Sequence, residues 1–532
     1  MLDILIRNGW IADGTGNPTY SAQVAIEGDR IVDVGRLEGA EAARVIDATG
    51  KIVCPGFIDT HSHSDRTLLA NPTAQSTIRQ GITTEIVGNC GGSMAPLTDE
   101  TRPRTEAGLR RLGYEEPVEW SSTAEFFEQV ERTRLSCNTG WLAGHNTVRF
   151  AAGLIGAEYT EEQMRAMQGH VREAMEAGAL GLSTGLEFEP GRRATTEEVV
   201  RLAQVVGEYD GYYASHIRNR AKYVQSAIEE FMDIVRRSNT RGQVSHLNVR
   251  YNTGEAPDAW ERAVATMERT RREGWDVAAD CTPFQDGGGG PMVILPDWVM
   301  ADGTKRAIEY LSDPETRMQL RTQTDRYWAF IYRGDFDRVR ISGSDNHPEL
   351  IGKNLVQIGK MWDKHPWDVL FDLFVMALKD EDRIRYIGRL FTEEHVIANI
   401  THPLFNLSVD ASSVSLEGPM RTTYMHPLPF AGMIHYITWW VREKGVLRLE
   451  DAVRKMTSMC ATRFGLRDRG QIRPGAFADV VVFDYDELDD VSTIEQPLAY
   501  CKGVEYVLVN GQVVIDGGEH TGARPGRILR YS

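Results

Sequence analysis

The run Val53-Cys54-Pro55-Gly56-Phe57-Ile58-Asp59-Thr60-His61-Ser62-His63 carries an apolar strand straight into two histidines spaced by two. Alternate side chains of a strand share a face, so His61 and His63 can grip one cation. A lone His-x-His is more often a surface accident than a metal site, and its weight here comes from four further donors. Cys90 lies among glycines in Val87-Gly88-Asn89-Cys90-Gly91-Gly92. Glycine allows close backbone approach there, and a thiolate binds zinc at about 2.3 Å. His216 closes Ala214-Ser215-His216, His246 closes Val244-Ser245-His246, and Asp410 closes Leu407-Ser408-Val409-Asp410. Nitrogen, sulfur and carboxylate donors together are the set from which a water-activating zinc centre is built.

Such distant residues meet only if the fold brings their strands together. Eight apolar runs read as strands: Gly56–His63, Thr83–Asn89, Thr139–His145, Leu180–Thr184, Tyr212–His216, Gln243–Asn248, Asp276–Asp280 and Phe405–Asp410. Helical patterns lie between them, among them Thr123–Arg134, Thr160–Ala177, Thr195–Tyr209, Arg220–Ser238 and Asp258–Glu273. Strand–helix alternation of this kind predicts an α/β fold, a (β/α)8 TIM barrel over residues 56–465. In a barrel, side chains from different strands converge at the C-terminal mouth, where every candidate donor would sit.

Short β-like runs punctuated by Asn-Gly, Asp-Gly and Gly-Asp fill residues 1–55 and 466–532, predicting a small β-sandwich-like domain assembled from both termini. Strands seven and eight, ending at Asp280 and starting at Phe405, are too far apart for one helix, so an inserted subdomain is expected between them over residues 285–345. The run Gly287-Gly288-Gly289-Gly290, followed by Pro291 and Pro296, suits a mobile lid, and Pro314–Arg326 has a weak helical pattern.

The formal charge of −17 over 532 residues argues against nucleic acid and anionic lipid as partners, since both select clustered Lys and Arg. No run approaches the ~20 apolar residues of a membrane helix. Met1-Leu2-Asp3-Ile4-Leu5-Ile6-Arg7-Asn8 lacks the signal-peptide pattern, so a cytoplasmic location is expected. Six scattered cysteines with no CxxC suggest neither a disulfide framework nor a zinc ribbon.

The chain resembles the amidohydrolase superfamily, and within it the N-acyl-D-amino-acid deacylase (D-aminoacylase) group. The resemblance is carried by Pro55 to Asp65, Val87 to Gly92, Gly181-Leu182-Ser183-Thr184-Gly185-Leu186, Ser215-His216-Ile217-Arg218, Ser245-His246-Leu247, Leu449 to Ser458 and Arg473 to Phe483. It spans nearly the whole chain. By that resemblance Cys90, His216 and His246 form a tight zinc site, while His61, His63 and Asp410, with Cys90 as a bridge, form a second and weaker one. Many superfamily members bridge their metals with a carbamylated lysine at the end of strand four; this chain has no lysine there, which leaves Cys90 as the substitute. A metal-bound water and a polarised carbonyl then imply hydrolysis of a C–N amide bond, with Asp410 taking the water proton and passing it to the leaving nitrogen.

Departures from the group bear on the small-molecule substrate. Group members hold the substrate carboxylate with a lysine two positions after the strand-six histidine and a tyrosine near the end of strand seven; here Asn248 and Phe284 stand there. Ala411-Ser412-Ser413 replaces the usual glycine, and His426-Pro427-Leu428 lacks the usual arginine. Those losses remove charge-assisted hydrogen bonds and point to a secondary amide with a bulky or apolar partner, of the xenobiotic or natural-product kind. The alternatives are an N-acyl-D-amino-acid deacylase with non-standard carboxylate contacts, drawn from Arg218, Arg220 or Arg250, or a ring-opening cyclic amidase. A catalytically inactive scaffold would be expected to have lost ligands, and this chain keeps a full set.

Overall fold

A computed structural model describes every residue except 302, 325, 326, 423, 424 and 532, and gives the backbone alone at 292 and 422. Eight strands, Phe57–Asp59, Ile82–Val87, Asn138–Gly144, Gly181–Gly185, Tyr212–His216, Arg241–Val244, Val277–Cys281 and Phe405–Leu407, pair in that order to form one parallel sheet. Most are buried at every position, which is why their sequences run apolar instead of alternating. Intervening helices start where capping residues allow. Ser122 and Thr160 form capping boxes with Glu125 and Gln163, and Thr195 caps Thr196–Gly207.

Closure of the barrel falls just past the last regular strand pairs. The Asp410 N–H donates to the His61 carbonyl at 2.9 Å, the His63 N–H donates to the Ala411 carbonyl at 2.8 Å, and Ser62 bridges Ala411 in parallel register. Asp59 accepts from the backbone N–H groups of His61 and Val409 across the same seam. The fold thus sews the His61–His63 segment to the segment carrying Asp410.

The two termini share one nine-stranded sheet. Leu2–Ile11, Tyr20–Glu27, Arg30–Gly35, Ala42–Asp47 and Ile52–Pro55 join Val480–Phe483, Val504–Val509, Gln512–Asp516 and Glu519–His520 through the antiparallel pair of Ile52–Pro55 with Val480–Phe483. Ile4, Ile6, Val24, Val53, Val480 and Val482 pack one of its cores.

Between barrel strands seven and eight the chain builds a three-stranded antiparallel sheet from Asp286–Gly289, Val339–Gly343 and Arg385–Arg389, so the inserted body runs well past residue 345. Gly287, Gly288 and Gly289 of the glycine run lie in one of its two edge strands. Trp328, fully buried, lies flat on that sheet: a Cβ at Gly289 would stand 2.3 Å from its ring, which only glycine avoids. The helical pattern at Pro314–Arg326 is a helix over Pro314–Gln323, with 325 and 326 outside the described residues. No described helix is long and apolar enough to cross a membrane.

Candidate metal centre

Beyond strand two the backbone turns through Gly88, Cys90 and Gly91, all at positive φ, with Cys90 at 52°. Gly185 makes room for that turn, since a Cβ there would lie 2.3 Å from the Cys90 carbonyl oxygen. Cys90 Sγ is thereby brought 3.3 Å from His61 Nε2, 3.4 Å from His246 Nε2 and 3.8 Å from His216 Nδ1. His216 Nδ1 lies 3.1 Å from His246 Nε2. Asp410 Oδ1 stands 3.2 Å from His63 Nε2 and 3.5 Å from His61 Nε2. All six donors anticipated from the sequence therefore gather in one place: His61, Cys90 and His246 form one cluster and His61, His63 and Asp410 a second, with His216 against Cys90 and His246. His246 and Asp410 also sit at positive φ, 34° and 58°, and backbone held in this region away from glycine is typical of functional sites.

The protonation states suit a cation. Burial pushes the Cys90 thiol well above its ordinary range. Burial also holds His61 and His246 low, and takes His216 down to about 3. Neutral imidazole nitrogens then gather within 4 Å of one thiol, an arrangement that a zinc ion between them would satisfy. Burial would raise Asp410, yet His61, His63 and Arg220 keep it below its ordinary value, so it is a carboxylate at neutral pH.

Behind these donors lie charged residues that orient them. Glu187 Oε2 accepts from His216 Nε2–H at 2.7 Å, which leaves His216 Nδ1 unprotonated and facing Cys90. Arg250 pairs bidentately with the same carboxylate at 2.7 Å on each arm. Burial alone would raise Glu187, but Arg250 and then His216 drive it far below the carboxylate range. Asp280 Oδ1 accepts from the His246 backbone N–H at 2.7 Å and lies 3.5 Å from His61 Nδ1. Arg220 Nη1 contacts both His246 Nδ1, at 2.9 Å, and the His246 carbonyl, at 2.7 Å. Sequence reasoning gave Glu187 and Asp280 no role, although both are acidic residues at the ends of strands four and seven, a signal that could have singled them out.

A cavity of about 340 Å³ opens beside the donors, bounded by Arg220, His246 and Asp410 on the barrel and by Gly288, Tyr327 and Tyr386 on the insert. The four residues expected to contact substrate do not line it. Arg218 is turned outward and donates to Glu230 and to the carbonyls of Arg192 and Ala194. Arg250 is fully buried and committed to Glu187. Phe284 stacks on His435 with ring centroids 4.1 Å apart. Asn248 is buried with both amide atoms unpartnered and is not among the residues that line the cavity. Arg220, two residues past Arg218, is the guanidinium that faces inward.

A family model described as "Amidohydrolase family" matches residues 44–294 and 420–515. The chain belongs to the amidohydrolase family. It is accordingly a hydrolase of carbon–nitrogen bonds other than peptide bonds. Among its relatives are an N-acyl-D-glutamate deacylase of Alcaligenes xylosoxydans xylosoxydans, 34% identical over 99% of this chain and 96% of that protein, and a D-aminoacylase of the same organism, 30% identical over 99% and 97%. Of solved structures, the N-acyl-D-glutamate deacylase from Bordetella bronchiseptica, complexed with zinc and a phosphonate mimic of the tetrahedral intermediate, is 32% identical over 99% of both chains with a TM-score of 0.79. A D-aminoacylase with a binuclear metal centre, described as activated by one metal and attenuated by the second, is 29% identical over the full length of both with a TM-score of 0.80.

Proposed function

We propose that this amidohydrolase is a zinc enzyme that cleaves N-acyl compounds carrying a carboxylate, as an N-acyl-amino-acid deacylase does. Cys90, His216 and His246 would hold a tight zinc, and His61, His63 and Asp410 a weaker second one. When bound, zinc acidifies a water and polarises the amide carbonyl. Asp410 turns Oδ1 to the two histidines, leaving Oδ2 to take the water proton and pass it to the departing nitrogen. Glu187 and Asp280 fix the ligand geometry through His216 and the His246 backbone.

One observation carries the substrate reading: a nearly buried guanidinium, that of Arg220, stands in the cavity beside Asp410 with its Nε–H unpartnered. A buried cation with free donors is costly, and a planar carboxylate satisfies it with paired, charge-assisted hydrogen bonds. Donation from Arg220 to His246 Nδ1 also requires the imidazole proton on Nε2, the atom that faces Cys90. Were His246 Nε2 to hold zinc, the imidazole proton would reside on Nδ1 facing Arg220, and Arg220 would have that donor free for the cavity. This reading replaces the apolar-pocket expectation drawn from Asn248 and Phe284, because neither residue borders the cavity.

The test compares kcat/KM for N-acetyl amino acids with that for their neutral carboxamides, in the wild type and in Arg220→Met. The free acid is expected to be preferred by the wild type, and Arg220→Met to erase that preference by on the order of 10²-fold. Faster turnover of the neutral amides by the wild type would return the assignment to neutral secondary amides.

A further inference from the structure

We propose that Tyr327, on the insert, is a positioning residue for the metal centre: its ring clamps Arg250, and through Arg250 and Glu187 it fixes the imidazole of His216. The proposal rests on the reading of His216 as a metal ligand.

The chain of contacts is continuous, from half-buried Tyr327 to buried Arg250, Glu187 and His216. Trp328 anchors the segment by lying against Gly289 and Gly388, where a Cβ would approach its ring to 2.3 and 2.9 Å. Beside it Tyr327 sits at φ +42°, a conformation that bulky residues rarely adopt. Its ring centroid lies 4.1 Å from Cζ of the fully buried Arg250, a cation–π distance. Arg250 spends Nη1 and Nη2 on Glu187, and its Nε–H has no partner, so the ring face is what holds the guanidinium plane on that side. Glu187 Oε2 then divides between Arg250 and His216, at 2.7 Å from each.

A second path runs parallel to the first. Phe188 packs edge-on against the His216 ring at 4.2 Å, and the Tyr327 ring lies 6.2 Å from Phe188. The imidazole is thus fixed at its Nε2 edge by Glu187 and at its face by Phe188, and both supports abut Tyr327. Tyr327 also borders the substrate cavity, so one side chain of the insert faces substrate and braces a metal ligand. The phenol oxygen donates to the Gly288 carbonyl at 3.4 Å and also supports the Arg250 charge, adding to the ring face.

The cobalt-substituted enzyme supplies a readout independent of turnover. A thiolate-to-cobalt band reports the metal on Cys90, and its decay in excess EDTA gives the rate of metal loss. Tyr327→Leu is expected to lose metal roughly tenfold faster, the scale of an outer-shell defect, while Tyr327→Phe, which keeps the ring face, should lose it distinctly more slowly than Tyr327→Leu. Arg250→Lys, which severs the same path, should also speed the loss, and the double variant with Tyr327→Leu should be no faster than the quicker single. Unchanged loss in Tyr327→Leu, equal acceleration in Tyr327→Phe, or additive effects in the double would overturn the clamp. Should Tyr327→Leu fail to fold, Arg250→Lys alone decides, and an unchanged rate there overturns it. Absence of the thiolate band in the wild type would instead remove the ligand assignment on which the clamp depends.

Discussion

The two halves of the donor cluster are held by different forces. His61, His63 and Asp410 are placed by main-chain hydrogen bonds across the barrel seam, whereas His216 is aimed by a buried carboxylate that answers to Arg250 and Tyr327. Main-chain bonds survive side-chain substitution; a buried ion pair does not. The seam half should therefore keep its geometry under mutation of its surroundings, and the His216 half should be sensitive to residues that never touch metal or substrate.

The largest effect expected is in turnover at the seam. Asp410→Asn keeps the side-chain shape but cannot take the proton, and should lower kcat ~10²–10⁴-fold while the tight zinc stays bound. Elemental analysis alongside kinetics checks both parts. Near wild-type kcat would remove Asp410 from its role and erase the functional distinction between the halves.

Next in size is Glu187→Gln, in the half that depends on charge. It leaves Arg250 buried without its counter-ion and His216 without a charged acceptor, so zinc affinity should fall by about 10–100-fold, with roughly 3–5 kcal/mol lost from metal-free stability. Competition against a chelator and denaturant unfolding measure these. A matching loss of tight-site affinity in His63→Ala would show that the halves are not separately supported.

The smallest effect is in pH. The imidazoles of His61, His216 and His246 are held low and are already neutral near pH 7, while the Cys90 thiol is held above its ordinary value of 9.0. Zinc uptake must then expel the thiol proton, so affinity should rise with pH, about tenfold per unit between pH 7 and 9. A flat profile from titration calorimetry would mean that the thiol is not a ligand or is already ionised.

The barrel was legible because its strands are buried on both faces and end in polar residues. Tyr212–His216 was read without error, and the capped helices within a few residues at either end. The strand made by Gly287–Gly289 was not legible, because a glycine run carries no β pattern; at Gly289 the need for glycine comes from the Trp328 ring, far along the chain. The choice among three nearby arginines was equally hidden. Arg218 and Arg220 lie two apart in an irregular loop, and only the position of Glu230 on the helix Val224–Ser238 shows that Arg218 turns outward and leaves Arg220 to the cavity. Glu187 and Arg250 form a pair across the barrel that no local pattern announces.

The account stands most directly on Cys90, whose thiol touches both clusters and distinguishes this centre from one bridged by a lysine. Metal analysis of the purified wild type and Cys90→Ala tests it in one measurement. Zinc near one per chain in the wild type and lost from the variant is the predicted result; equal zinc in the two proteins would contradict it.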